Sequence, residues 1–156
     1  MRRKMSPDVH KKIHLLSLLI GTLFIALISA RPYAGAWNDG SRLATVESLA
    51  DYGTWSIDES VFVRTPNILT RHGDQAYPAD DPLLQKEGTL DKLFIRDHYY
   101  SDKSPLPSLI MAGVYRALET AAHLSASNNP PTFCYVMALI FSGGAYMVSV
   151  FCMDAT

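Results

Sequence analysis

Two long apolar runs lie towards the two ends of the chain, and about a hundred more polar residues separate them. The first run, residues 13–30, contains no acidic residue, lysine or arginine, and neither does the second, residues 132–153. The first measures about 27 Å as a helix, close to the ~30 Å hydrocarbon core of a bilayer. The second is long enough to cross with some tilt. The pattern predicts two transmembrane helices, over residues 13–30 and 131–153.

Charged residues are distributed unevenly around these runs. Residues 1–12 carry five basic side chains and one acid, whereas residues 31–130 carry 13 acids and 9 bases. Basic residues before a first span favour an N-terminus in the cytoplasm. We therefore expect a multi-pass protein of the plasma (inner) membrane, with residues 1–12 and 154–156 cytoplasmic and residues 31–130 forming an extracytoplasmic loop.

The first apolar run also fits a secretory signal peptide. A basic start, an apolar stretch at residues 15–28 and the small residues Ser29 and Ala30 are the features of such a leader. Cleavage would leave the second run as a C-terminal anchor. Both interpretations stay open, and both place residues 31–130 outside the cytoplasm.

The cysteines do not order this loop. Cys134 and Cys152 both fall in the second apolar run, and residues 31–130 contain none. On one helix the two cysteines lie about 27 Å apart, far beyond the ~7 Å between Cα atoms that a disulfide tolerates. The loop must be ordered by packing against helices or by the membrane surface.

Helical periodicity appears at the start of the loop. Apolar side chains recur at helical spacing: Leu43, Val46, Leu49 and Ala50. Asn38 or Asp39 precedes them as a predicted N-cap, and Gly53 follows as a predicted end. This pattern predicts an amphipathic juxtamembrane helix over about residues 39–52, lying along the membrane or against other helices.

The middle of the loop is irregular. Two short apolar runs, Val61-Phe62-Val63 and Leu93-Phe94-Ile95, favour extended structure and a small β-hairpin. Helix-breaking residues lie between them: Pro66, Gly73, Pro78, Pro82 and Gly88. A loop of this length is more often functional or disordered than idle.

A second amphipathic juxtamembrane helix is predicted over about residues 105–124, with Pro105 and Pro107 at its start, where proline is tolerated. The expected fold class is a mostly α membrane protein. Two transmembrane helices flank an extracytoplasmic loop that contains two amphipathic helices and a small hairpin.

Small residues recur every three or four positions in the second apolar run: Ala138, Ser142, Ala145 and Ser149. Such a stripe allows close approach of another membrane helix. It also arises simply because apolar helices contain small residues. The first interpretation predicts helix partners within the membrane.

Asp39 is the leading candidate for chemistry. One interpretation is a helix cap, because aspartate accepts hydrogen bonds from first-turn amides and interacts favourably with the helix dipole. The other is a general base towards a hydroxyl at the outer face of the membrane. Arg42, one turn further on, either pairs with Asp39 or binds an anion beside it.

Lys103 is the second candidate. It lies just before a predicted helix start, where its charge and the helix dipole together suit a phosphate, although Asp102 beside it opposes that role. A solvated charge is the alternative. Tyr99 and Tyr100 fit either interfacial anchors or a substrate role.

Other classes of site find no support in the sequence. His72, His98 and His123 show no metal-ligand spacing, and no phosphate-binding or nucleophile-elbow motif is present. Basic residues cluster only at the N-terminus. We therefore predict no metal site, no cofactor and no nucleic-acid partner.

The stretch "NDGSRLATVESLADYGTWSID" and the later stretch "DKLFIRDHYYSDKSPLPSLIMAGVYRAL" together resemble integral-membrane glycosyltransferases of the GT-C type. This family includes 4-amino-4-deoxyarabinose transferases and protein mannosyltransferase-like enzymes. The resemblance covers roughly residues 37–118. It implies an outward loop with membrane-parallel helices and a sugar donor linked to polyprenyl phosphate.

The resemblance also implies roles for three residues. Asp39 matches the general base, Arg42 matches the arginine that follows it, and Lys103 matches a lysine that contacts lipid phosphate. The sequence departs from the family pattern at Gly40, where many relatives have glutamate, and at Ser104, which replaces a proline.

Family members carry many more membrane spans than the two predicted here. We therefore expect an N-terminal fragment or shortened relative of such an enzyme, inactive alone. One alternative is a non-catalytic two-span membrane protein that serves as an assembly partner. Another is a secreted or C-terminally anchored binding module released by signal cleavage.

Overall fold

The computed structural model describes residues 7–64 and 76–154. Within them the chain is mostly helical, with one small antiparallel sheet, as the sequence predicts. Most of the predicted cytoplasmic N-terminus, and the predicted breakers Pro66 and Gly73 with His72, lie outside the described residues.

Within the described residues, six helices and two strands follow one another. They are α1 (Pro7–Ser29), α2 (Trp37–Glu47), α3 (Pro82–Glu87), β1 (Lys92–Ile95), β2 (His98–Ser101), α4 (Pro105–Ala122), α5 (Pro130–Ala138) and α6 (Gly144–Asp154). The π-helical segment Ser48–Tyr52 extends α2, and a second one, Leu139–Gly143, joins α5 to α6. Two compact units result, one of residues up to Ala30 and from Ala138 onwards, the other of Arg31–Met137.

The first unit consists of α1 packed against the second π-helical segment and α6. The stretches Lys11–Ser29 and Pro130–Met153 are long and apolar enough to cross a membrane, and only 11% of each is buried inside the chain. Such low burial is unlike a core helix of a soluble protein. The predicted pair of apolar helices is therefore present, with a break after Ser29 where Arg31 and Pro32 follow.

Close packing in this unit uses a different small residue from the predicted stripe. Gly143 is buried, and a Cβ built on it would lie 3.0 Å from the Cβ of Ala26. Ser142, Ala145 and Ser149 are exposed. The α1 contact therefore leaves the predicted small-residue stripe largely uncovered.

The second unit has an aromatic core. Phe62 lies 6.2 Å from Tyr77 and 6.0 Å from Phe133 between ring centroids, and Tyr115 lies 4.7 Å from Phe133. All four side chains are buried. Edge-to-face and tilted pairs at these separations add to the free energy of apolar burial. This cluster fixes α4 and the irregular residues 57–63 against the start of α5.

The hairpin pairs Lys92 with Ser101 and Ile95 with His98. Its turn residues Arg96 and Asp97 both have positive φ, the conformation that two-residue hairpin turns require. Leu93, Phe94 and Ile95 form the predicted extended run. Val61-Phe62-Val63 forms no strand; Val63 makes one isolated bridge, to Gly88.

Asp58 attaches the hairpin to the rest of the unit. Its carboxylate accepts hydrogen bonds from the amide of Tyr99 at 2.7 Å and the hydroxyl of Ser56 at 2.6 Å, and Oδ2 lies 2.7 Å from His98 Nδ1. Burial tends to raise the pKa of Asp58, but these hydrogen bonds outweigh burial and lower it. The ionised carboxylate thus connects residues 56–58 to β2.

The predicted cap of α2 is wrong. The helix begins at Trp37, its N-cap position is Ala36, and no side chain caps it. Asn38 and Asp39 therefore lie inside the first turn. The predicted end at Gly53 is confirmed, with φ of 66° in the left-handed region that glycine tolerates.

The buried face of α2 is wider than the predicted stripe. Leu43 and Val46 are buried as predicted, but so are several polar neighbours: Ser41, Thr45, Glu47 and Ser48. Contact with α4 covers part of this face. Ser41 also contacts Asp91 and Ser101, and Glu47 contacts residues 60–61. In α4 the buried positions are Ser108, Ala112 and Tyr115, whereas Leu109 is exposed.

Candidate functional site

Asp39 is exposed in the first turn of α2. Among the described residues its carboxylate accepts no hydrogen bond and forms no ion pair, so it does not serve as a cap. Its position in the first turn nevertheless suits a negative charge, because the free amides of a helix N-terminus carry partial positive charge. The side chain is available to a ligand.

An open groove of about 380 Å³ lies beside this turn, between residues 31–35 and residues 78–82. Its lining is mostly polar: Arg31, Tyr33, Gly35, Pro78, Asp80, Asp81 and Pro82. The amide of Ala34 donates to the carbonyl of Ala76 at 2.9 Å, which holds the two walls together. A groove of this kind suits a hydroxyl-bearing ligand better than an apolar one.

Hydrogen bonds of Gln85 and Asp81 stabilise the wall of the groove that residues 78–82 form. The Gln85 side-chain amide donates to the carbonyls of Tyr77 and Pro78 at 2.9 and 3.3 Å. Asp81 Oδ1 accepts from the amides of Leu83 and Leu84 and caps α3. The groove wall is therefore formed before any ligand arrives.

The side chains of Arg31 and Asp39 both lie close to Gly35. A Cβ built on Gly35 would lie 2.9 Å from Arg31 Nη1 and 3.6 Å from Asp39 Oδ2. The separation between Arg31 Nη1 and Asp39 Oδ2 therefore cannot exceed the sum of these two distances. Arg31 and Gly35 line the groove, and Asp39 lies close to Gly35 with the Arg31 guanidinium nearby.

Arg42 shares a helix face with Asp39. Successive residues in an α-helix are rotated by about 100°, so positions three apart differ by roughly 60°. Arg42 is half-buried, and its guanidinium makes no hydrogen bond or ion pair within residues 7–64 and 76–154. An arginine without such a partner suits an anion, because its planar guanidinium matches carboxylate and phosphate geometry.

Gly40 fits closely against Tyr77. A Cβ at position 40 would overlap the Tyr77 hydroxyl, which donates to the carbonyl of Phe62 at 2.7 Å. Burial raises the pKa of Tyr77, so the phenol keeps its proton. The departure from the family pattern at Gly40 therefore has a packing reason in this chain.

Lys103 is held by two carboxylates. Its Nζ lies 2.8 Å from Asp91 Oδ2 and 3.1 Å from Asp102, and only 19% of the side chain is exposed. Hydrogen bonds to Asp91 and Asp102 raise the pKa of Lys103. The positive charge is therefore balanced by carboxylates rather than open to a phosphate.

Hydrogen bonds link Lys103 to α2. Ser41 Oγ donates to the carbonyl of Asp91 at 2.6 Å and lies 2.7 Å from Ser101 Oγ. Ser101 Oγ in turn accepts from the amide of Lys103 at 3.1 Å. Ser41 and Asp39 project roughly 160° apart around the helix. Lys103 therefore lies near the first turn of α2, but on another side from Asp39.

Sequence reasoning missed the groove residues Arg31, Tyr33 and Asp80. Asp80 lies about fifty positions from Arg31 and Tyr33 along the chain, and no sequence motif joins the three residues. It also missed the buried acid Glu47, which looked like an exposed residue off the apolar stripe. The one feature of the sequence that pointed to Glu47 was its position four residues before Asp51, because side chains at this spacing are neighbours on a helix.

The described residues contain no group of three or more His, Cys, Asp or Glu side chains placed to hold a metal ion. Comparisons with protein-family models, with curated proteins and with solved structures find no match for this chain. A function must therefore be argued from the geometry and from the sequence resemblance.

Proposed function

We propose that this chain belongs to a membrane-bound sugar-transfer enzyme and that Asp39 is its general base. The observation that carries the proposal is the exposed Asp39 carboxylate, which is unpaired among the described residues and lies close to Gly35 in the lining of an open polar groove. A carboxylate that neither caps a helix nor pairs with a cation can accept a proton from a bound hydroxyl. The GT-C resemblance supplies the donor class, a sugar linked to polyprenyl phosphate.

In this reaction an acceptor hydroxyl or amine occupies the groove next to Asp39. Its nucleophilic atom forms a bond to the anomeric carbon of the donor sugar. The bond from that carbon to the phosphate oxygen breaks, and the phosphate keeps the electron pair. Asp39 takes the acceptor's proton, and Arg42 offsets the charge of the phosphate.

Lys103 can bind the donor phosphate in this scheme only under one condition. Because Asp91 and Asp102 already balance its charge, it contacts a lipid phosphate only if it exchanges one of these carboxylates. The groove lining is polar, so a polyprenyl chain must lie elsewhere. We therefore propose that membrane helices beyond the two candidate spans bind the donor lipid and that activity depends on them.

The exposed face of α4 supports a location at the bilayer surface. Leu106, Leu109 and Ile110 lie on one side of the helix and are 63%, 51% and 56% exposed. An apolar stripe of this size marks an interaction surface. We propose that α4 rests on the outer face of the plasma (inner) membrane, with residues before α1 in the cytoplasm.

The enzyme proposal is tested in membranes that contain the chain and its native partners. A radiolabelled polyprenyl-phosphate sugar is added, and sugar transfer is measured for wild type, Asp39→Asn and Asp39→Glu. The matched control is Asp97→Asn at the hairpin turn, because asparagine tolerates positive φ. Loss of transfer in Asp39→Asn alone supports the proposal, and wild-type transfer in that variant overturns it.

A second candidate function is that of a non-catalytic assembly partner. The observation in its favour is the uncovered small-residue stripe, Ser142, Ala145 and Ser149. Ala145→Leu would block close helix approach and abolish co-purification of a membrane partner, whereas Val148→Leu on an exposed neighbouring position would not. Equal co-purification of the two variants would exclude this role for the stripe.

A further inference from the structure

Glu47 is a fully buried acid without a cation. It lies at the end of α2, and its side chain has no exposed surface. Oε2 accepts hydrogen bonds from Ser60 Oγ at 2.7 Å and from the amide of Val61 at 3.0 Å. Oε1 is buried with no partner among the described residues. An ionised carboxylate in this position is costly because nothing nearby compensates its charge.

Asp51 follows one turn later, in the first π-helical segment. Its Oδ2 accepts from the Tyr115 hydroxyl at 3.0 Å, and the Tyr115 oxygen accepts from the amide of Ala126 at 2.9 Å. Oδ1 of Asp51, like Oε1 of Glu47, is buried and unpartnered within the described part of the chain. Side chains four positions apart on a helix are neighbours. The two unpartnered oxygens, Glu47 Oε1 and Asp51 Oδ1, therefore belong to side chains on the same turn of helix.

The surroundings do not balance two negative charges. The titratable groups that act on the pair are Tyr115, Arg116 and Glu119 from α4 and Cys134 from α5. Arg116 is the single cation of this set, but it donates to the carbonyl of Ala50 and to Glu119. Residues 60–61 contribute only the two hydrogen-bond donors already described. One proton would reduce the charge of the pair from two to one and give an unpartnered oxygen a donor.

We propose that Glu47 and Asp51 form a proton-binding pair, which holds a proton below neutral pH and releases it to solvent at higher pH. Neighbouring carboxylates disfavour each other's ionised form because their charges repel, so one of the two keeps its proton to a higher pH. Burial raises the pKa of Glu47 to about 7, and it raises that of Asp51 as well. The π-helical geometry of residues 48–52 is of a kind often found at functional sites.

A chain of contacts connects Glu47, and therefore its protonation state, with the region of the groove. Glu47 holds Ser60 and Val61, and the carbonyl of the next residue, Phe62, accepts the Tyr77 hydroxyl that packs on Gly40. Gly40 follows Asp39 directly. Loss of the proton leaves an ionised carboxylate at the fully buried Glu47 and so weakens the packing that supports the first turn of α2.

The direction of the pH effect follows from linkage. The folded protein binds this proton more tightly than the unfolded chain does, since the native pKa of Glu47 lies above its ordinary value. The stabilising contribution of this proton is therefore complete below the ordinary carboxyl range. It falls as the pH rises towards about 7 and levels off above that pH.

The test uses the full chain in detergent micelles or nanodiscs, with thermal unfolding measured from pH 5 to pH 9. Wild type should lose stability over this range, and Glu47→Gln should remove most of that loss. Asp51→Asn should move the midpoint to lower pH, because the Asp51 charge helps to raise the pKa of Glu47. Glu59→Gln, at an exposed position, should keep the wild-type profile.

Infrared spectra of the wild-type protein give a second measurement that needs no variant. At pH 6 the carbonyl band of a protonated carboxylic acid should be present, and it should disappear as the pH is raised beyond the midpoint. A wild-type spectrum without this band at pH 6 would overturn the proposal. So would a Glu47→Gln protein whose unfolding shows the same pH dependence as wild type.

Discussion

The Tyr77 side chain occupies the space beside α2 that any side chain at position 40 would need. Gly40 is therefore required by packing and not by backbone conformation, since it lies within a regular helix. This contact joins the first turn of α2, which carries Asp39, to the buried carbonyl of Phe62. The geometry of the candidate site thus depends on the aromatic core.

Gly40→Ala should destabilise the protein by about 1–3 kcal/mol, because the new methyl group overlaps a buried ring that cannot move freely. Gly113→Ala is the matched control, as no atom lies within 4 Å of a Cβ built there. That control should be neutral or stabilising by about 0.4–1 kcal/mol. Chemical denaturation in detergent measures both, and equal effects of the two variants would contradict the packing argument.

Asp58→Ala should loosen the hairpin. It removes the acceptor of the Tyr99 amide and of the Ser56 hydroxyl, at a cost of about 1–3 kcal/mol. Hydrogen exchange of the Tyr99 amide should become faster, whereas Glu59→Ala, at an exposed neighbour, should leave it unchanged. Unaltered exchange in the Asp58 variant would show that the backbone contacts of β2 with β1, Ser56 and Ile57 are enough to hold the hairpin.

The same carboxylate predicts an acid-dependent loss of stability. Its pKa is lowered in the folded protein, so its stabilising contribution is complete above the ordinary pKa of aspartate. That contribution is lost as the pH falls through the lower native pKa. The stability difference between wild type and Asp58→Ala, measured from pH 6 down to pH 3, should therefore shrink at the acidic end.

Arg42→Gln should weaken binding to vesicles that contain polyprenyl phosphate more than Lys103→Gln does. Arg42 has no described partner, whereas Lys103 is paired with Asp91 and Asp102. Loss of one charge-assisted hydrogen bond of about 1.5–3 kcal/mol corresponds to roughly a tenfold or larger loss of affinity. Lys86→Gln, on an exposed side chain, serves as the control. A larger effect at Lys103 would reverse the assignment of the two cations.

Leu109 should report contact between α4 and lipid. An environment-sensitive fluorophore on Leu109→Cys, with Cys134 and Cys152 replaced by alanine, should show a blue-shifted emission in nanodiscs. The same label on Lys86→Cys, in α3, should emit as it does in water. Identical emission from the two positions would remove the evidence that the exposed stripe of α4 meets the bilayer.

The predicted orientation is tested by labelling from one side of the membrane. A membrane-impermeant maleimide applied to intact cells should modify Asn128→Cys, which is exposed in the second unit, but not Lys11→Cys. Both variants carry the same cysteine-free background, and permeabilised cells give the total labelling. Preferential modification of Lys11→Cys would reverse the topology.

The features that depend on short-range pattern were predictable. Residue 29 ends the first apolar helix because proline follows at 32, and Gly53 ends the π-helical extension of α2 because it adopts positive φ. The hairpin was expected from its apolar run, and α4 from its periodicity. The cap at Asp39 was predicted wrongly because the helix starts two residues earlier, at Trp37. Capping residues and first-turn residues have the same composition, so the sequence does not separate them.

Composition and periodicity by themselves determined that the chain has two apolar helices, a polar unit between them and a small hairpin, because these depend on neighbours along the chain. Tertiary structure decided which acids are buried, which cation is already paired and which residues line the groove. Glu47 and Asp39 are the same kind of residue, eight positions apart in one helical stretch. One is enclosed by residues 60–61 and the other faces solvent, and only long-range packing makes that difference.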